Sequence, residues 1–100
     1  MASQVRAIGI IEGHSLLPLI DITNAVRKAA DVALHHLQPM GGGITLAVIS
    51  GDVGAVRVAL ETANASAADY EEQIRTQVFA HPGSEVWDLL ENLGVSVEIA

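Results

Sequence analysis

An α+β domain, a mainly antiparallel sheet with two helices on one face, is predicted by three observations. Short apolar runs alternate with stripes of helical period in the order β-α-β-β-α-β. Gly41, Gly42 and Gly43 stand between two of those runs, where a tight turn is needed. The length of 100 residues suits one such domain and leaves no room for a second. This order is that of a ferredoxin-like core, here with a C-terminal helix and a short last strand appended. The chain is read as one domain over residues 1–100, with the core over about 5–81 and the appendage over 82–100.

The elements follow in order. Residues 5–12 form a compact apolar segment that predicts the first strand. Gly13, His14 and Ser15 turn the chain, with Ser15 as N-cap of the first helix. Pro18 then falls in the first turn, where its missing N–H has no intrahelical partner. Leu16, Leu19, Ile20, Thr23, Val26 and Ala30 recur at helical spacing as the buried face, and Asp21, Asn24, Arg27, Lys28 and Asp31 form the polar one. Residues 32–37 predict the second strand, with Val32, Leu34 and His36 on one side and Ala33, His35 and Leu37 on the other.

The apolar, β-branched run 44–49 predicts a strand buried on both faces. Asp52 is the expected N-cap of a second helix, whose stripe is Val53, Val56, Leu60, Ala63, Ala67 and Tyr70. Residues 74–80 predict a fourth strand, stopped by His81, Pro82 and Gly83. Ser84 is the expected cap of a short helix turning Val86, Leu89, Leu90 and Leu93 inward. Gly94 ends it, and Val95, Val97 and Ile99 alternate as a last strand. The position of Trp87 fits core and interface equally.

Composition removes several classes of function. The formal net charge of −7, with only five Lys and Arg residues spread along the chain, argues against nucleic acid. Without cysteine there are no disulfides and no thiolate metal sites. The start Met1-Ala2-Ser3-Gln4 lacks the layout of a signal peptide, and no apolar run reaches membrane-spanning length, so a cytoplasmic protein is expected. Half of the residues are hydrophobic and the mean hydropathy is +0.39, which points to apolar surface covered by further copies of the chain. No catalytic constellation is present. Gly51-Asp52-Val53-Gly54 lacks the lysine and hydroxyl residue of a P-loop, and Ser15 beside His14 is only sequence adjacency. His35 and His36, adjacent on a strand, are expected to point to opposite faces, so no metal and no cofactor is expected.

Four segments carry a resemblance: Ala7-Ile8-Gly9-Ile10-Ile11-Glu12, Lys28-Ala29-Ala30-Asp31-Val32, the glycine loop Gly41-Gly42-Gly43, and Gly51-Asp52-Val53-Gly54-Ala55-Val56. In this order and at these separations, over about residues 5–90, the chain resembles the hexameric shell proteins of bacterial microcompartments. The resemblance implies a non-enzymatic homohexamer in the bacterial cytoplasm. Such hexamers tile with each other and with further shell proteins around encapsulated enzymes, and pass small metabolites through a central pore.

It also implies residue roles. Gly41, Gly42 and Gly43, with Met40 beside them, would line the pore. Lys28 would meet its counterpart at the edge between hexamers, and His81 would stand at the same edge in place of an arginine. Imidazole is shorter and has fewer donors, which makes lateral contact weaker. Pro39 and Met40 replace the lysine and branched apolar residue of many relatives. A rim of six Gly42 backbones would be wider than one rimmed by side chains, and inward N–H groups would favour anionic or polar metabolites. The residues alone also admit an oligomeric ferredoxin-like sensor of small ligands, which would need a long mobile loop or a ligand cleft with convergent polar groups.

Overall fold

A computed structural model describes residues 7–95. Strand β1 (Ala7–Gly13) leads through Ser15 into helix α1 (Leu16–Ala29). Strands β2 (Ala33–Gly41) and β3 (Ile44–Gly51) form a hairpin, followed by helix α2 (Val53–Asp69), strand β4 (Arg75–Phe79) and helix α3 (Ser84–Asn92). The four strands make one sheet in the order β2-β3-β1-β4, with every neighbouring pair antiparallel. This is the expected α+β arrangement. The expected last strand lies, beyond Val95, outside the described residues.

Two cores follow from the pleat. Ala7 and Ile11 of β1 and Ala47 and Ile49 of β3 face the helices, where they pack against Leu19, Ile22 and Val26 of α1 and Val56, Ala59 and Ala63 of α2. The alternate residues, Ile8 and Val48, face away and pack with Leu90 and Val95, bordered by Phe79 and Trp87. Each face thus takes every second residue of a strand. The run 44–49 is apolar apart from Thr45, which is itself buried, because β3 is a central strand covered on both sides. Trp87 is half-buried at the border of the second core.

The helices differ in detail from the sequence expectation. In α1, Ile22 is fully buried, whereas Leu16 is exposed at the first turn. In α2, Val53 and Tyr70 at the two ends of the stripe are exposed. The Tyr70 hydroxyl instead donates to Asp21 Oδ2 at 3.1 Å, and that bond holds the phenol above its ordinary pKa. In α3 only Leu90 is buried; Leu89 is 53% exposed and Leu93 38%. The apolar stripe of α3 is wider than the strip of sheet beneath it. Ser15 and Asp52 occupy N-cap positions, but neither side chain bonds to the first turn, and Gly83 rather than Ser84 holds that position at α3.

Strand β2 departs most. Its register on β3 shifts between Leu34 and His36, so His35 is an extra residue in a bulge. Leu34 pairs with Ile49 and Leu37 with Ala47, and both leucines pack on the helical side. His36 pairs with Val48, and His35 Nε2 lies 2.6 Å from Ser50 Oγ on the same, opposite side. The two imidazoles therefore share a face, contrary to strict alternation. The Nε2 atom of His36 is buried without a hydrogen-bond partner. Among the described residues, no group of three or more His, Asp or Glu side chains is placed to hold a metal ion.

Candidate functional site

The β2–β3 hairpin ends in a turn of bare backbone. Pairing runs through Pro39 with Thr45 and Gly41 with Ile44, with a second irregularity at Met40. Gly41, Gly42 and Gly43 have φ of 90°, 64° and 78°, all in the left-handed region that only glycine enters freely. Two such residues in succession give a turn whose twist matches that of the strands it joins. All three are exposed, and a Cβ built on any of them would meet no atom within 4 Å. Met40 is half-buried, its Sδ 3.9 Å from Gln38 Nε2.

The sheet register fixes where the other candidate residues lie. Ala33 at the start of β2 pairs with Ser50, Ser50 with Ile8, and Ile8 with Phe79 at the end of β4. The start of β2 and the end of β4 are thus at one end of the sheet, and the glycine turn is at the other. Lys28 lies in the last turn of α1, just before β2, and His81 follows β4. Both are exposed, and both belong to the end away from the glycines. The fold brings Lys28 and His81 to a common end and separates them from Met40 and the triplet by the length of β2.

Open grooves of mixed charge lie among the described residues. One of about 420 Å³ is lined by His14, Asn64, Glu72, Gln73 and Arg75, near where the His14 backbone N–H donates to Glu72 Oε2 at 3.1 Å. No helix among the described residues is long and apolar enough to cross a membrane.

Residues 7–82 match the family described as the BMC domain. This chain belongs to the BMC domain family. Its relatives include the bacterial microcompartment shell protein EutM of Salmonella typhimurium, 33% identical over 82 residues that cover 82% of this chain and 85% of EutM. The microcompartment shell protein PduA of Citrobacter freundii is 31% identical over 87 residues, covering 87% and 94%. The carboxysome shell protein CsoS1 of Prochlorococcus marinus is 34% identical over 95 residues, covering 92% of each chain. A crystal structure of a microcompartment protein from Desulfitobacterium hafniense superposes with a TM-score of 0.73 at 24% identity. It shares the fold, and the match covers 97% of this BMC chain and 52% of that one. The family resemblance carried by the four sequence segments is thereby borne out. Together the family and these relatives support a shell protein of a bacterial microcompartment.

Proposed function

We propose that this BMC protein is a non-enzymatic tile of a microcompartment shell, assembled as a cyclic homohexamer with the glycine turn at its axis. Tiles meet at their outer edges, where Lys28 and His81 contact a neighbouring hexamer, and other shell proteins join the same sheet. Small metabolites pass through the central pore, whose rim is the backbone of Gly41, Gly42 and Gly43, with Met40 set back from it. The carrying observation is the polarity of the sheet. Its bare turn is at one end and its candidate edge residues are at the other, as a wedge in a ring requires. A wedge needs a narrow end without side chains at the crowded axis and a broad end for lateral contacts.

The sensor reading needs a long mobile loop or a ligand cleft with convergent polar groups, and the groove beside His14 and Arg75 is open. Solution mass and negative-stain images separate the two readings. Six chains of 10.5 kDa give about 63 kDa and a six-fold particle with a central hole. A dimer or trimer would contradict the shell assembly. A hexamer whose narrowest point is Met40 would contradict the glycine rim alone.

A further inference from the structure

Between Asp31 and Asp52 the chain holds no aspartate, glutamate, lysine or arginine, although these types make up 17% of its residues. The whole hairpin of β2 and β3 carries no ionisable side chain other than His35 and His36. His36 pairs with Val48, well down the hairpin from the turn. On β3 the span from Val48 to Ile44, opposite Gly41, is four residues, about 13 Å at the usual rise. That exceeds the Debye length of about 10 Å at 0.1 M salt. The nearest flanking carboxylate in register is Glu12 on β1, opposite Leu46 and two residues short of Ile44. The cationic Arg75 of β4 is opposite it on the other side, and the pairing of β1 with β3 stops one residue on, at Gly13 and Thr45. Beyond that point the hairpin continues alone through Gly41 and Ile44.

We infer that the pore rim has no fixed charge, and that it sorts solutes by size and hydrogen bonding rather than by the sign of their charge. This rests on the pore reading given above. Ion-selective constrictions are made by rings of like charge, carboxylates for cations and Lys or Arg for anions. Six copies of this turn supply no such ring. They present amide dipoles, N–H and C=O alike, with zero net charge. Small polar solutes, anionic, cationic or neutral, then meet the same rim, in place of the anionic preference expected if N–H groups alone faced inward. The acidic side chains that give the protein its charge all lie outside the hairpin in sequence. Their reach falls to about 3 Å at 1 M salt.

The test is crystallography of the assembled protein soaked in about 1 M rubidium bromide, with anomalous maps for both ions. Three proteins are compared: the unsubstituted chain, Gly42→Asp and Gly42→Asn. Asp and Asn are near-isosteric, both tolerate the left-handed region, and Gly42 has free space for either. The expected result is no ordered ion of either sign at the rim of the unsubstituted protein or of Gly42→Asn, and rubidium on the axis of Gly42→Asp. Bromide held by inward N–H groups, or rubidium at the unsubstituted rim, would overturn the inference while leaving the pore in place. Absence of rubidium from a Gly42→Asp ring would overturn it too, since charge at the rim would then not govern occupancy. Turns that do not converge would instead remove the pore itself.

Discussion

A Cβ added at Gly9 would meet Val56 Cγ1 at 2.8 Å and Ile49 Cγ1 at 2.9 Å, whereas one added at Gly41, Gly42 or Gly43 would meet nothing within 4 Å. Gly9 is buried in β1 and is glycine because α2 lies too close for any side chain. The triplet is exposed and is glycine because its backbone is left-handed. Packing within the subunit accounts fully for the first. For the second, intrachain contacts account for nothing beyond the turn itself. A bare, exposed tip of three glycines costs conformational entropy on folding. Apart from the pairing of Gly41 with Ile44, the tip has no side chain to pack within its own subunit, which favours a role between subunits.

Substitutions can break this contrast, beginning with the largest effect. Gly9→Ala is expected to destabilise by about 1–3 kcal/mol through overpacking against Val56 and Ile49, read as a fall in the denaturation midpoint at fixed protein concentration. An unchanged midpoint would show that α2 moves aside freely. Gly42→Ala is expected to cost about 1 kcal/mol, from left-handed strain alone. The hexamer should survive with a narrower opening by electron microscopy; a loss as large as that at Gly9 would mean the tip is packed after all.

Glu71 supplies a third case. It has φ 54° just past α2, where the Glu72 N–H returns to Ala67 O at 3.0 Å, and it is not glycine. Glu71→Gly is expected to stabilise by about 0.5 kcal/mol, and a destabilised variant would show that the side chain contributes something the backbone cost conceals. The smallest effect on the fold is expected at the outer end. Lys28→Ala should change stability by less than about 0.5 kcal/mol and leave hexamers intact, yet reduce sheets seen by electron microscopy. His81→Arg should enlarge those sheets, as guanidinium reaches farther and donates more. Normal tiling by Lys28→Ala would reduce that lysine to a surface charge.

Much of this was legible in the sequence, and the exceptions have physical causes. The order of elements, the glycine turn and the central position of β3 followed from period and punctuation. The sides taken by His36 and Leu37 did not, because counting by twos assumes an unbroken pleat and the bulge at His35 inserts a residue silently. Leu89 and Leu93 fit an inward stripe, but a stripe records which residues share a side of a helix, not how much surface lies opposite. Ser15 and Asp52 show the same limit at caps, where residue type permits a bond that the rotamer does not make. For the site, the family resemblance in the sequence implied Gly41, Gly42 and Gly43 at a pore and Lys28 and His81 at an edge, without placing either on the sheet. Only the register reveals that the glycines occupy the opposite end of the sheet from the other two.

The most direct measurement is a cryo-EM reconstruction of the assembled particle, reading the distance of every Cα from the symmetry axis. Six copies of Gly42 are expected nearest the axis, around an open hole, with Lys28 and His81 at the perimeter. Glycine turns at the outer rim, or a particle without six-fold symmetry, would contradict that placement.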